Sequence, residues 1–562
     1  MSDFQRPRGS IYYRHFGRYS EIVSVLVKYG FGDLLSRLNI ERYVSVGRRI
    51  FRAKKKGVEK FSRWERIRMA LEELGPTFVK LGQFASNRPD IFPQELITTL
   101  ETLQDAVPPF SEQEALRIIE KELKTPVSAL FKKFGTTPVA SASIAQVNKA
   151  VLHDGTVVAV KVQRPRITEA ISIDLHIMYH IARLLQKHIQ GMDFFNPVQF
   201  VDEFASAINK ELDFVTEALH FDHFRKNFGD DPTVYIPKVY HDLTTRKVLI
   251  TEFINGVKIT NIEELKRRRL DPREIAARGA SSVLKQIFRH GFFHADPHPG
   301  NILILEGNVI CLLDLGMTGI LTPTSRGYLG DIIVGVANGD AHKIVRTLYE
   351  ISNQQAKRGD ELEYQIAELI QEYASRPLGA INVGEILNRL TQILMMHRLK
   401  LIPGFYLLVK ALVTMEGIGY KLDPGFDMMK HIEPFARQLV REKLSPRRVA
   451  GYSLDALQDY FYLFRDLPSD SRDIFQIIKS GKFHMEIGHH GLGPFLNKID
   501  QSTNRIVYGL VLASLVVGSS IVVLSDIPPR AFGMPVIGMG GFIAAGLMGF
   551  GLLISILKHG KM

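Results

Sequence analysis

Two runs near the C-terminus carry no charged side chain, and they restrict this chain more than any other feature. Residues 506–524 (IVYGLVLASLVVGSSIVVL) and 534–557 (MPVIGMGGFIAAGLMGFGLLISIL) have 19 and 24 residues. At about 1.5 Å per helical residue each comes close to or exceeds the roughly 30 Å of a bilayer's hydrocarbon. The alternative is a buried core hairpin, but two such runs at a terminus leave little protein to cover them. Between them lies the short loop SDIPPRAF, with Asp526 opposing Arg530, while Lys498 and Arg505 precede the pair and Lys558 and Lys561 follow it. The positive-inside rule puts both flanks in the cytoplasm, predicting a two-pass hairpin with the bulk of the chain cytoplasmic. Small residues recur four apart (Gly509 and Ala513, Ser514 and Gly518, Gly541 and Ala545, Ala545 and Gly549), a spacing that suits a tight hairpin or dimer seam.

The rest of the chain is long enough for two or three units among its 562 residues. Lysine and arginine exceed acidic residues by 71 − 59 = +12. Such a balance fits nucleic acid or an anionic membrane equally well, and the C-terminal runs decide for the membrane, with no nucleic-acid partner. The basic stretch from Arg48 to Arg68 reads either as a solvated helical face or as a contact for anionic lipid head groups. The opening residues MSDFQRPRGSIYYRHF lack an apolar signal core, so the bulk is expected not to be exported. The single cysteine, Cys311, excludes an internal disulfide and reads as a small core residue in a reducing compartment.

Periodicity predicts helix over 20–40, strands from about 126 to 165, helix over 170–227, a strand at 247–256, helix over 272–290 and mostly helix over 321–490. Within this frame, GFFHADPHPGNILILEGNVICLLDLG (residues 291–316) concentrates the chemistry. Asp296, Asn301 five residues later, and Asp314 at the head of an Asp-x-Gly turn stand at the separations of the catalytic and metal-binding loops of protein kinases. Lys161, on the strand VAVK, then resembles the kinase lysine that pairs with nucleotide phosphates and a helix glutamate. Where kinases carry a glycine-rich loop, this chain has Ala140, Ser141, Ala142, Ser143 and Ala145, which restrict the backbone approach that glycine permits. His294 and His298 could suggest a metal, but the kinase-like loop explains them better than zinc. A redox hydroxylase lacks its Gly-x-Gly-x-x-Gly fingerprint.

Further motifs extend the match. Lys80, Gly82 and Gln83 form a KxGQ element, and Gln104, Asp105 and Pro108 a QD-x-x-P element. Glu211 and Asp213 form an ExD element, and HxDxHPGN spans 294–301. Together, over roughly residues 70–320, these resemble the UbiB (ABC1 or ADCK) family of atypical kinase-like proteins, and the C-terminal hairpin resembles its bacterial ubiquinone-biosynthesis members. Position 315 is Leu where typical kinases have Phe, which the family accepts.

The resemblance implies an α+β fold: a two-lobed, protein-kinase-like body with an N-terminal helical extension and a C-terminal transmembrane helical hairpin. The expected boundaries are 1–125 for the extension, 126–258 for an N-lobe with a helical insert, 259–495 for a helical C-lobe, and 496–562 for the hairpin. It also implies ATP and Mg2+ as cofactors. Asp296 would orient the nucleophile, and Asn301 and Asp314 would hold the metal. The alanine-rich loop (Ala140, Ser141, Ala142, Ser143), Lys161, Glu217 and Glu252 would surround the nucleotide. In this family the KxGQ helix lies across the place where a protein substrate would dock, so that Lys80 and Gln83 meet Glu211 and Asp213. Glu217 would pair with Lys161, with positions 211 and 217 on different faces of one helix. Implied partners are anionic lipids, quinone precursors or other small lipid-phenols, and other ubiquinone-biosynthesis proteins. The expected function is an ATPase of the bacterial inner membrane that supports ubiquinone biosynthesis. The alternatives are a genuine protein or small-molecule kinase and a nucleotide-gated, non-enzymatic scaffold.

Overall fold

The computed structural model describes residues 16–443 and 492–559, apart from 39, 41–57, 90, 104–106, 190–195, 353–359, 375–382, 398, 400–402 and 526. Part of the basic stretch, together with Gln104, Asp105 and Asp526, therefore lies outside the described residues. The chain divides into two compact units, Met1–Ala450 and Gly451–Met562.

The first unit begins with helices. α1 (Phe16–Lys28) is followed by α2 (Arg63–Leu74), which Ser62 opens with a reciprocal capping box to Glu65. Gly75, at φ +94°, then turns the chain into α3 (Pro76–Ser86), whose first residue is a proline. α3 carries the KxGQ residues and packs on α4 (Gln94–Leu100).

A five-stranded antiparallel sheet follows. Its members are β1 (Phe131–Phe134), β2 (Ala140–Ser141), β3 (Ala145–Leu152), β4 (Val157–Gln163) and, later in the chain, Val248–Glu252. β4 alternates as a strand must: Val158, Val160 and Val162 are wholly buried on one face, which leaves Lys161 on the other.

Three helices interrupt the sheet: α5 (Ile167–His188), α6 (Pro197–Glu211) and α7 (Phe214–Phe228). The single helix expected to carry both Glu211 and Glu217 is broken in two. Asp213 takes an extended conformation (φ −107°, ψ 95°), and its carboxylate accepts from the Val215 N–H, so α6 ends at Glu211 and a new helix starts at Phe214. The Val248–Glu252 strand, β5, pairs with β4 so that Leu249 stands opposite Lys161.

After β5 come α8 (Pro272–Leu284) and a π-helical turn over Lys285–His290 that delivers β6 (Phe292–His294). β7 (Ile302–Leu305) and β8 (Val309–Leu312) form a hairpin within a four-stranded sheet. α9 (Pro403–Leu422) packs along α8 and closes the core beneath the site. Cys311, fully buried in β8, has its thiol pushed up to about 12 by that burial, so it packs rather than reacts.

In the second unit α10 (Leu492–Leu524) and α11 (Val536–His559) pack on each other. Among the described residues, Ile506–Leu524 is the helix long and apolar enough to cross a membrane, with mean hydropathy 2.4, while Val536–Gly551 is a shorter apolar helix. The seam uses the expected small residues of α11, Gly541 and the buried Ala545, but not those of α10. A Cβ on Gly541 would fall 2.0 Å from Ser519 Oγ, and one on Gly538 2.6 Å from Val523 Cγ2, so these glycines permit the close approach. Gly509 and Gly518 face open space instead, because a four-residue spacing marks a face of the helix without saying which face is used.

Candidate functional site

The site assembles where β4, α7 and the β7–β8 hairpin converge. Lys161 Nζ lies 2.8 Å from each carboxylate oxygen of Glu217 and 3.3 Å from Asp314 Oδ2. Glu217 is almost fully buried in the first turn of α7, where the helix dipole favours a carboxylate. Burial works against the charged lysine, but the Asp314 and Glu217 carboxylates outweigh it and hold the ammonium protonated. Burial likewise works against the Asp314 carboxylate. Lys161 and the Gly316 N–H, which donates to Asp314 Oδ1 at 2.9 Å, nevertheless hold it well below the usual carboxylate range.

The hairpin explains the spacing of the two metal-ligand candidates. Ile302 pairs with Leu312, and just beyond that pair the Leu313 N–H donates to the Asn301 carbonyl at 2.9 Å. Residues thirteen apart in sequence, Asn301 and Asp314, are thereby brought to the same end of the hairpin. His298 Nδ1 accepts from the Gly300 N–H at 3.1 Å and so caps the catalytic loop from within. His294 is buried, desolvation pushes its imidazole below the usual histidine range, and its Nδ1 lies 3.2 Å from the Met317 carbonyl oxygen. Asp296 stands at the loop's start with its Oδ1 3.2 Å from Lys410 Nζ.

The N-terminal extension reaches this site. Lys80 forms an ion pair with Glu211 at 2.5 Å, and its charge also helps to stabilise the Asp314 carboxylate. Gln83 does not meet the ExD element: its Nε2 donates to the Leu103 carbonyl at 3.5 Å, and Asp213 caps α7 and sits 3.5 Å from Arg246. The difference follows from the helix break, which turns the Asp213 carboxylate to its own backbone.

The alanine-rich loop is pinned rather than free. Arg164 donates to the Ala142 carbonyl and to Ser141 Oγ, each at 2.8 Å, and to the Val107 carbonyl at 3.2 Å. Ser141 Oγ donates in turn to the Val107 carbonyl at 2.8 Å, and the Ala142 N–H donates to Ala145. Ala140 pairs with Val147 across β2–β3, and Ser143 is wholly buried with its hydroxyl lacking a partner among the described residues. Glu252 ends β5 and accepts from the Tyr235 hydroxyl at 2.6 Å and the Lys238 N–H at 3.3 Å, so its carboxylate secures a neighbouring strand.

Three residues of the site were missed by sequence reasoning. His220, three positions after Glu217 on the same face of α7, has Nδ1 2.8 Å from the Leu315 carbonyl oxygen and ties the helix to the Asp-Leu-Gly turn. Its spacing from Glu217 was a usable signal. Arg164 follows β4 directly, with nothing in its sequence context to mark it. Lys410 was visible as a lone charge in the apolar run FYLLVKALV.

Among the described residues no three or more His, Cys, Asp and Glu side chains cluster to hold a metal. One ionised carboxylate (Asp314) and one amide (Asn301) nevertheless fit magnesium, which keeps water and phosphate oxygens as its remaining ligands.

Residues 102–348 match the ABC1 atypical kinase-like domain, 366–427 the UbiB helical domain, and 490–558 the ABC1/UbiB kinase-like C-terminal domain. A protein of Clostridium pasteurianum, named for its place in the hydrogenase 1 5' region and uncharacterised, is 32% identical over 97% of this chain and 99% of its own length. A "Probable protein kinase UbiB" of Marinobacter nauticus is 36% identical, covering 75% of this chain and 78% of its own. One of Pseudomonas fluorescens is 34% identical over 77% and 83%. A solved Mycobacterium tuberculosis protein in complex with erythromycin is 26% identical, covering 61% of this chain and 87% of its own, at a TM-score of 0.44, too low to carry a fold argument. The matched domains and these relatives agree: the chain belongs to the UbiB/ABC1 family of atypical kinase-like proteins, with a kinase-like domain of mixed helix and sheet.

Proposed function

We propose that this protein binds ATP with magnesium and hydrolyses it at the bacterial inner membrane in support of ubiquinone biosynthesis. The observation that carries the reading is the Lys161–Glu217–Asp314 cluster, with Lys161 2.8 Å from Glu217 and 3.3 Å from Asp314, because sites of the protein-kinase type need this lysine–glutamate pair in place. Lys161 binds the nucleotide phosphates, and the loop held by Arg164 closes over them. Glu252 lies at the end of β5, bordering the nucleotide. Asp314 and Asn301 would hold magnesium, which would supply positive charge to the phosphate oxygens. Asp296 orients a water molecule, whose oxygen bonds to the γ-phosphorus as the bond to the bridging oxygen breaks. ADP leaves with that electron pair, and the proton of the water passes through Asp296 to solvent.

Water is preferred over a protein hydroxyl because the extension reaches the catalytic face, Lys80 and Glu211 forming its tie. The boundaries proposed for the parts remain 1–125, 126–258, 259–495 and 496–562. The membrane reading is supported by side chains on α10 and α11 such as Leu510, Leu524, Ile537 and Leu547, which are 69%, 84%, 69% and 71% exposed. An apolar surface of this extent is unsuited to water, and a two-pass hairpin places it in lipid. The relatives' UbiB name supports the ubiquinone assignment, with anionic lipids and small lipid-phenols as partners.

The test is ATP turnover by purified full-length protein, with and without anionic liposomes and quinone-like phenols. Wild type should release phosphate and Asp296→Asn should lose about 10²–10⁴-fold. Equal turnover in both proteins would sink the assignment. Phosphorylated proteins in cells that vanish in an Asp314→Asn strain would favour a protein kinase instead.

A further inference from the structure

A phosphoryl group in transfer spreads negative charge over its oxygens and is stabilised by a fixed cation beside the metal. The catalytic loop supplies none: Pro297, His298, Pro299 and Gly300 separate Asp296 from Asn301. His298 Nδ1 is used within the loop as an acceptor for Gly300. Lys161, the nucleotide-phosphate lysine of the reading above, is tied to Glu217 and Asp314, and Lys80 is paired with Glu211, so neither stands beside Asp296.

Lys410 is placed differently. It is the one charged residue in the first twelve of α9, and its neighbours Leu408, Ala411 and Leu412 are 3%, 0% and 6% exposed. A lysine on such a helix costs desolvation that a leucine or methionine would avoid, unless a carboxylate compensates. Its side chain is 29% exposed and its Nζ lies 3.2 Å from Asp296 Oδ1. Glu101, beyond α4 in the N-terminal extension, also feels the Lys410 charge.

We infer that Lys410 is the phosphoryl-site cation: it meets the γ-phosphate of ATP beside Asp296. The inference rests on the ATP reading above and extends it. The matched kinase-like segment ends at 348 and Lys410 lies within the matched helical domain, so the helical domain completes the site.

The experiment measures binding of Mg-ATP and Mg-ADP to full-length wild type, Lys410→Met and Lys410→Arg by titration calorimetry. Lys410→Met should weaken ATP about tenfold and leave ADP within about twofold, and Lys410→Arg should recover most of the loss. Equal weakening of both nucleotides would assign Lys410 a purely structural part, and no weakening of either would remove it from the site. Either result overturns the inference while leaving ATP binding intact. Should Lys410→Met fail to fold, Lys410→Gln makes the same comparison. Wild type that binds neither nucleotide overturns the ATP reading and this inference with it.

Discussion

A Cβ on Gly82 would fall 2.3 Å from Leu103 Cδ1 and 3.0 Å from Leu71 Cδ1, so the glycine of KxGQ is a packing requirement. α3 presses on the segment after α4 there, and Gln83 bonds to the Leu103 carbonyl beside it. Gly82→Ala should therefore lower stability by about 1–2 kcal/mol through overpacking, measured as a shift in denaturant midpoint. An unshifted midpoint would mean the leucines yield freely. Residues of this kind divide by how far they were legible. Lys161, Asp296, Asn301 and Asp314 stand out as candidates because phosphate chemistry restricts both residue type and spacing, and Glu217 is added by the family resemblance. The partner of Gln83 could not be named, since it depends on where a distant helix ends.

At the scale of elements, period and punctuation were enough for most of the five-stranded sheet. β3, the turn at Gly155 (φ +91°) and β4 follow from alternation and a His-Asp-Gly turn. The break between α6 and α7 was hidden because Leu212 and Asp213 continue a helix-compatible pattern until the Asp213 carboxylate turns to its own backbone. How α1 docks on α5 was also hidden, and it carries a pH dependence. The Tyr19 hydroxyl lies 3.0 Å from His180 Nδ1, and burial, helped by Arg183, pushes the His180 imidazole down to about 4. A histidine depressed on folding contributes stability that is complete above its unfolded value near 6.5 and is lost as pH falls toward 4. Wild type should lose about 2 kcal/mol more than His180→Phe between pH 7 and pH 5 by chemical denaturation. Equal losses would place the sensitivity elsewhere.

For the whole molecule, the division into Met1–Ala450 and Gly451–Met562 separates the kinase-like body from the apolar helix pair. Deleting residues 500–562 should move the protein from the membrane pellet to the soluble fraction on cell fractionation. Retention in the pellet would assign anchoring to the basic stretch between Arg48 and Arg68. By itself the sequence determined the family, the candidate loop from His294 to Asn301 and the presence of apolar C-terminal helices, because each is local: a spacing, a residue type or a run without charge. Tertiary structure decided the rest. It turned Gln83 to the Leu103 carbonyl and Asp213 to its own helix, set Gly538 beside the expected Gly541 at the helix seam while Gly509 and Gly518 face open space, and brought Lys410 from over a hundred residues away to Asp296. A charge finds its partner through the path of the whole chain, and periodicity says which face a residue occupies without saying what that face meets.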